Sequence, residues 1–285
     1  MRILHVITAL VYGGAEKLLV NSCNELADEH EITICYLKDE PRLAPQFDKR
    51  ITIRKVPYGF GSLTALRRIY RELRPDIIHT HCPHADMLGN VAAIGLGFRI
   101  FSTTHNIWVK WNAWDHLIFF AYRVLFALNQ VNVIAISDSV REHVLRRFGV
   151  SRKKVRRLYN AIPDTKVDKS KSELRDQLGI PKEAFCALFI GRLEKQKSVE
   201  TLVDATVLLK CKCPDLFVLI IGHGRLKEAL ISRSKEKNVF DRIVFKDPVP
   251  NPEEYYCAAD IFVLPSVFEG FGIVILEAFR ASLAV

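Results

Sequence analysis

Short runs of apolar, mostly β-branched residues alternate along the whole chain with segments of helical periodicity, such as Gly14–Ala27. Several runs are apolar at consecutive positions, which is typical of strands covered on both faces of a sheet. The alternation predicts an α/β fold with parallel sheets and helices on both sides of each sheet. The predicted strands are Ile3–Thr8, Ile32–Leu37, Ile51–Val56, Ile77–His79, Ile100–Thr104, Val131–Ile136, Val155–Tyr159, Phe185–Ile190, Phe217–Ile221, Ile243–Phe245 and Ile261–Leu264.

A polar stretch without apolar periodicity, Pro163–Ser172, separates two such series of strands and helices. We therefore predict two Rossmann-like domains, 1–167 and 168–285, each doubly wound around a parallel sheet. A chain of 285 residues is long enough for each domain to bury its own core. Ligands of open α/β sheets bind beyond the carboxyl ends of the strands, so two domains in tandem predict a cleft with its chemistry just after strands.

Composition and charge narrow the classes of function. Apolar residues make up 49% of the chain, which excludes a disordered or fibrous protein. The net charge is +9, and residues 1–168 carry 24 Lys and Arg against 16 Asp and Glu, which favours an anionic partner. No apolar run reaches the ~18 residues of a spanning helix, and the seven scattered cysteines fit a reducing compartment. We therefore expect a cytoplasmic protein.

Two loops carry candidate phosphate-binding chemistry. Gly191 follows a predicted strand, and Arg192 and Lys197 place two cations in one loop, which suits a diphosphate. The second loop follows Ile261–Leu264 and contains a glycine-rich turn before an apolar helix start, whose free N–H groups favour an anion. Glu269 precedes this helix and Glu277 lies about two turns inside it.

Taken in order, these motifs resemble the retaining glycosyltransferases of family four, which have the GT-B fold. Glu269 and Glu277 match that family's E-x7-E pattern, and the loop with Arg192 and Lys197 matches its G-R-L-x-x-x-K pattern. Each motif is weak alone, but their order and spacing agree over essentially the whole chain. The remaining matches are Gly13-Gly14-Ala15-Glu16, Thr104-His105, Ser137-Asp138-Ser139, Asn160-Ala161-Ile162-Pro163 and Gly222-His223-Gly224.

The resemblance implies an enzyme that moves a sugar from a UDP- or GDP-linked donor to a cell-surface glycan or glycolipid. Two residues would be catalytic: Glu269, which holds the donor sugar, and His105, which lies near the reacting sugar. The implied donor-binding residues are Gly13, Gly14, Arg192, Lys197, Gly270, Phe271, Gly272 and Glu277. Because Arg192 and Lys197 supply cations for the leaving diphosphate and no D-x-D motif is present, we expect no metal and no other cofactor.

The chain departs from the family pattern at two places. Ala161 stands where the family has glycine, and the sequence stops at Val285, where family members continue, so we expect an incomplete second domain with exposed apolar surface on Ile273–Ala284. An inactive nucleotide-sugar-binding module is therefore an alternative function. A Rossmann-type oxidoreductase is a weaker one, because G-x-G-x-x-G is missing.

Two further segments leave alternatives open. The histidines of His79-Thr80-His81-Cys82-Pro83-His84 suggest a metal site, but no further ligand completes it, which favours structural or cleft-lining histidines. The aromatic-rich segment 108–126 is either a core helix with an aromatic lip or an interfacial helix that reaches a lipid-linked acceptor on an anionic membrane. The second alternative predicts peripheral association with the inner face of the membrane. No nucleic-acid-binding module accompanies the basic patch 151–157, so we expect no nucleic-acid partner.

Overall fold

The computed structural model describes residues 1–59, 61–107, 113–165, 167, 169–249 and 252–285, and the side chains of 113–115 are outside the description. The chain forms two compact units, Met1–Asn160 and Ala161–Val285. Asp168, where the second domain is predicted to begin, lies outside the described residues, as do Trp108 and Trp111 of the aromatic segment.

The N-terminal unit alternates strands with helices. Its strands are β1 (Arg2–Ala9), β2 (Glu31–Lys38), β3 (Thr52–Lys55), β4 (Ile77–His81), β5 (Arg99–Thr104), β6 (Asn132–Ala135) and β7 (Val155–Arg157). Its helices are α1 (Gly14–Leu26), α2 (Ser62–Leu73), α3 (Pro83–Ala93), α4 (Ala113–Leu128) and α5 (Asp138–Arg147). The S-x-S motif has a local role here, because the Ser137 hydroxyl accepts a hydrogen bond from the Val140 amide (3.1 Å) and caps α5.

The strands of this unit form one parallel sheet in the order β3-β2-β1-β4-β5-β6-β7. The first three strands run outward in one direction, and β4 then returns to the other side of β1. This reversal is a topological switch point, where the loops that leave neighbouring strands diverge and open a crevice. The crevice lies beyond the carboxyl ends of β1 and β4, with β5 next to it.

The C-terminal unit repeats the plan with fewer strands. Its strands are β8 (Phe185–Ile190), β9 (Leu216–Ile221), β10 (Ile243–Lys246) and β11 (Ile261–Phe262). Its helices are α6 (Lys171–Leu178), α7 (Val199–Leu209), α8 (Lys227–Glu236), α9 (Glu253–Ala258) and α10 (Ile273–Arg280). The parallel sheet has the order β10-β9-β8-β11, so the switch point lies between β8 and β11. Those are the strands that precede the two predicted phosphate-binding loops.

Close backbone packing explains the G-x-G motif after β9. A Cβ atom at Gly222 would lie 1.9 Å from the carbonyl oxygen of Gly191, and one at Gly224 would lie 2.3 Å from that of Leu193. The Leu193 amide donates to the His223 carbonyl (2.7 Å), which ties this loop to the loop after β8. Glycine is required because backbone approaches backbone at this distance.

A buried ion pair fixes α6 to the edge of the second sheet. The Arg175 side chain is 5% exposed, and its guanidinium donates to Asp260 (2.6 Å) and to the Ala258 carbonyl (3.0 Å). Asp260 also accepts from the Cys186 amide of β8 (2.7 Å). Both charges are therefore compensated inside the unit, as buried charges must be.

The far side of β11 carries the last residues of the chain. Ala284 forms a parallel bridge with Ile261, and its carbonyl accepts from the Phe262 amide (2.9 Å). In the preceding helix Phe279 is 59% exposed, whereas Ala278 is buried.

The predicted α/β fold with parallel sheets is confirmed. Each predicted strand coincides with one of β1 to β11, with ends that differ by a few residues at most. Within the described residues, no helix combines the length and the apolar character needed to cross a bilayer.

Candidate active site

The loop after β8 ends in a lysine paired with a glutamate from the loop after β11. Lys197 closes a 3₁₀ turn (Lys195–Lys197), and its Nζ donates to Oε1 of Glu269 at 2.5 Å. Their side chains are 12% and 22% exposed. An ion pair of this burial is screened far less than a surface pair, so it holds both groups in a defined position.

Gln196 joins the same two loops through its backbone and its side chain. Its carbonyl accepts from the Val267 amide (2.9 Å), and its Nε2 donates to the Phe268 carbonyl (2.9 Å). Ser266, on the same segment, has a buried hydroxyl with no hydrogen-bond partner among the described residues. A buried polar atom left this way is costly, which marks the place as one where a ligand atom is expected.

A glycine turn connects Glu269 to α10. Gly272 has φ +74°, in the left-handed region, and caps the helix. A side chain at this position would be strained and would also meet the Ile275 side chain at 3.1 Å. The turn thereby sets the amino end of α10, where the partial positive charge of the helix is concentrated. Gly270 is buried and Phe271 is half-buried in the same turn.

Glu277 lies inside α10 and is 8% exposed. Tyr256, on α9, donates its hydroxyl to Oε2 of Glu277 at 2.7 Å. Burial and the neighbouring carboxylate raise the pKa of Tyr256 well above its ordinary value, so the phenol stays protonated and remains a donor. The glutamate is thereby fixed as a buried acceptor about two turns from the glycine turn.

The other predicted donor-binding residues have simpler surroundings. Arg192 is exposed on the loop after β8. The pKa of nearby Glu194 is lowered mainly by its hydrogen bond to Arg225, with a smaller part from the charge of Arg192. Gly13 and Gly14 lie in the N-terminal unit, where α1 begins without a side-chain cap. The Glu16 carboxylate of the first turn lies against Gly13, where an added Cβ atom would be 2.3 Å from Oε2 of Glu16.

His105 directly follows β5 and belongs to a buried cluster of imidazoles. Nδ1 of His81 lies 3.2 Å from Nε2 of His105, and Nδ1 of His5 lies 3.0 Å from Nε2 of His81. The rings of His79 and His81 lie with their centroids 4.2 Å apart and are tilted by 35°, and Nε2 of His79 lies 2.8 Å from the Thr103 hydroxyl. Burial lowers the pKa of His5 and of His105 to about 4, so these rings are neutral at pH 7.

Both halves of the chain match families of known enzymes. Residues 12–166 match the family described as Glycosyltransferase Family 4, and residues 170–285 match Glycosyl transferases group 1. The chain belongs to glycosyltransferase family 4. It is therefore a transferase, and the oxidoreductase alternative is set aside.

Individual relatives agree with the family. The glycosyltransferase is 23% identical to the O-antigen biosynthesis glycosyltransferase WclY of Escherichia coli, over all of this chain and 79% of the relative. It is 26% identical to the UDP-Gal:alpha-D-GlcNAc-diphosphoundecaprenol alpha-1,3-galactosyltransferase of E. coli, over 85% of this chain and 65% of the relative. The crystal structure of Anabaena HepE in complex with UDP-glucose superposes with a TM-score of 0.83 at 20% identity, over 99% of this chain and 79% of HepE. This similarity confirms the GT-B fold.

The structure of the glycosyltransferase brings part of the predicted site together. Lys197 and Glu269 are in direct contact, and the glycine turn with Phe271 and Glu277 continues from Glu269 within the C-terminal unit. Arg192 shares the loop of Lys197, whereas the residues Gly13, Gly14 and His105 belong to the N-terminal unit.

Sequence reasoning missed Gln196, Ser266, Tyr256 and His5. Glutamine, serine and tyrosine at these positions carry no motif, because their role depends on partners far along the chain. His5 could be linked to the other histidines only once the strand order was known. In the order β1-β4-β5, His5 lies opposite His79 and His81 opposite Thr103, so the three strands bring these imidazoles together.

The buried imidazoles predict acid sensitivity of the N-terminal unit. Burial lowers the pKa of His5 and His105 to about 4, and that of His79 and His81 well below the ordinary value. An unfolded histidine titrates near pH ~6.5, so between about pH 6.5 and 4 the unfolded chain binds protons that the folded chain does not. The free energy of unfolding therefore falls as the pH falls through this range. Asp86, whose pKa burial raises to about 7, acts in the opposite direction but is one group against four.

Urea unfolding at pH 7 and pH 5 measures this difference. All three tryptophans, at 108, 111 and 114, lie in the N-terminal unit, so their fluorescence reports on it. We expect a smaller free energy of unfolding at pH 5, a weaker pH dependence in His79→Gln and a stronger one in Asp86→Asn. A free energy that is equal or larger at pH 5 contradicts the neutral imidazole cluster.

Proposed function

We propose that this glycosyltransferase transfers a sugar, with retention of the anomeric configuration, from a UDP-sugar to a lipid-linked or cell-surface glycan. The contact that carries the proposal is the Lys197–Glu269 ion pair, held between the two loops that leave the switch point of the second sheet. A cation, a carboxylate and the amide end of a helix converge there, and these groups complement a diphosphate attached to a hydroxyl-rich sugar.

Each charged group has a part in the proposed reaction. Lys197 and Arg192 neutralise the charge that develops on the diphosphate as the sugar bond breaks. Glu269 and the amides of the glycine turn hold the sugar hydroxyls, and Glu277 accepts hydrogen bonds from the ribose. Sugar transfer builds positive charge on the ring and negative charge on the leaving group, so fixed charges of both signs lower the barrier.

Residues of the N-terminal unit complete the proposed machinery. His105 acts at the reacting sugar, and Gly13 and Gly14, which carry no side chains, let the loop after β1 approach the donor and the acceptor. Neutral His105 can donate or accept one hydrogen bond, which suits placement of a sugar hydroxyl.

The donor nucleotide is proposed from the relatives. HepE was crystallised with UDP-glucose, and the E. coli galactosyltransferase has UDP-Gal in its name. We favour UDP over GDP on these grounds.

The acceptor and the location are proposed from helix α4. Its buried face holds Phe119, Tyr122, Leu125 and Phe126, while a stripe at helical spacing is exposed: Leu117 (58%), Phe120 (62%), Val124 (41%) and Leu128 (63%). An exposed apolar stripe on a unit with an excess of basic residues is typical of a helix that lies in an anionic membrane surface. The same E. coli relative has a diphosphoundecaprenol acceptor in its name. We therefore propose a lipid-linked acceptor and peripheral attachment to the inner face of the membrane.

Nucleotide release from a UDP-sugar tests the donor site. We expect Lys197→Ala and Glu269→Ala each to lower the rate of UDP release by roughly 100-fold or more, because each removes a preorganised charge. Lys195→Ala is the matched control, since Lys195 lies in the same turn but is exposed. Unchanged release in both site variants, with folding verified by circular dichroism, would refute the assignment. A wild-type chain that binds UDP-sugar without turnover supports the binding-module alternative.

Chelation tests the proposal that no metal takes part. Since Lys197 and Arg192 supply the positive charge, we expect UDP release by the wild-type chain to continue in EDTA at the rate found without it. Loss of release in EDTA and its return with manganese would contradict metal-independent transfer.

Liposome co-sedimentation tests the role of α4. Binding to vesicles that contain phosphatidylglycerol is expected at low salt and should weaken as salt is added. Phe120→Ser should weaken it by roughly 10-fold, the cost of leaving one large apolar side chain out of the bilayer. Leu208→Ser, at an exposed leucine (77%) of the C-terminal unit, is the control and should bind as wild type does. No sedimentation at low salt eliminates the membrane proposal.

A further inference from the structure

Two buried histidines of the first sheet and the half-buried His105 form a continuous hydrogen-bonded chain. It runs from His5 on β1 through His81 on β4 to His105 after β5, with nitrogen–nitrogen distances of 3.0 and 3.2 Å. His5 is 4% and His81 is 5% exposed. Such contacts require one hydrogen between each pair of nitrogens, because two lone pairs or two N–H groups at this distance repel each other.

The neutral state of the rings restricts where the hydrogens lie. A neutral imidazole has one donor and one acceptor nitrogen. His81 uses both of its nitrogens within the chain, so it donates to one neighbour and accepts from the other. Only two arrangements remain: all three rings carry hydrogen on Nδ1, or all three carry it on Nε2. The tautomer at one end therefore dictates the tautomer at the other.

We propose that His81 is a positioning residue that, backed by His5, fixes which ring nitrogen of His105 carries the hydrogen. The proposal rests on the proposed function, in which His105 acts at the reacting sugar. Nε2 of His105 is used by the chain, which leaves Nδ1 as the nitrogen offered to a substrate. The arrangement of the chain decides whether that Nδ1 is a hydrogen-bond donor or an acceptor.

The end of the hydrogen-bonded chain at His5 shows that these histidines do not conduct protons. Their role is to fix tautomers, and we call this arrangement the histidine lock. Nε2 of His5 is buried and has no hydrogen-bond partner among the described residues. A proton delivered there has no group to pass to, and burial opposes a charged imidazole in the interior. The hydrogen-bonded chain thus ties the tautomer of His105 to those of His81 and His5 without carrying protons away from it.

His79 belongs to the imidazole cluster but is not part of the hydrogen-bonded chain formed by His5, His81 and His105. Its Nε2 contacts the Thr103 hydroxyl, which can donate or accept and so imposes no tautomer on it. His5, His79 and His81 place one nitrogen each within 4.8 Å of one another, a spacing that would admit a metal ion. Nδ1 of His5 and Nε2 of His81 already face each other at 3.0 Å, the distance of a hydrogen bond between two rings. We therefore favour the hydrogen-bonded chain.

¹⁵N NMR of the protein labelled with ¹⁵N-histidine identifies the tautomer of each ring directly and requires no activity assay. We expect one tautomer shared by His5, His81 and His105 in the wild-type protein. His81→Gln keeps a polar atom near the position of Nε2 but removes the contact at Nδ1, so His105 should become a mixture of tautomers. Different tautomers within the wild-type chain, or an unchanged His105 in this variant, would overturn the proposal. Zinc added alone that binds at one ion per chain and shifts His5, His79 and His81 would also overturn it.

Kinetics separate positioning from a structural role. His81→Gln should lower kcat for UDP release by roughly 10-fold while KM for the UDP-sugar stays within about twofold. His81→Asn keeps a polar atom near Nδ1 and should restore most of kcat. His79→Gln, which keeps its contact with Thr103, should leave kcat as in wild type. Equal losses in His81→Gln and His79→Gln would indicate packing alone and overturn the positioning role.

The two readouts distinguish the two proposals. If the wild-type protein releases no UDP but its three histidines share one tautomer, the proposed function is wrong and the histidine lock stands as a structural feature. If the wild-type protein releases UDP normally but the three histidines have mixed tautomers, the histidine lock is refuted and the transferase assignment is unaffected.

Discussion

The order of the parallel strands is the constraint on which the rest of this structure depends. In each sheet the chain lays down its first three strands in one direction and then returns to the other side of the first strand. The returning strand and the first strand become neighbours, and their loops diverge at the carboxyl ends. In the second sheet this brings the loop of Lys197 beside that of Glu269, although they are far apart in the sequence. In the first sheet it brings His81 beside His5, with His105 on the next strand's loop.

The charge arrangement follows from that topology. Lys197 and Glu269 are too buried to remain uncompensated, and they satisfy each other in the absence of substrate. A diphosphate offers Lys197 a second anionic partner, and sugar hydroxyls offer Glu269 hydrogen-bond donors. Binding of the donor can therefore replace the internal ion pair with equivalent contacts and leave neither charge unpaired. The contacts of Gln196 hold the two loops in place during such an exchange.

Strands and loop motifs could be predicted from the sequence, because a local pattern of residues determines them. Side-chain roles that depend on partners far along the sequence could not be predicted. Every strand could be placed, because short β-branched runs alternate with helical segments and the central strands are apolar at consecutive positions. Glu269 and Lys197 could be singled out because motifs in strand-end loops carry them. Tyr256 could not be singled out, because its role depends on one hydrogen bond to Glu277, a residue on another helix. The link from His5 to His105 required the strand order, which a single sequence does not state.

A crystal structure of the chain with a bound UDP-sugar tests the central claim most directly. We expect diphosphate oxygens within hydrogen-bond distance of Nζ of Lys197, the sugar against Glu269 and the amides of the glycine turn, and the ribose at Glu277. The nucleotide seated elsewhere, with the Lys197–Glu269 pair intact and untouched by ligand, would contradict it.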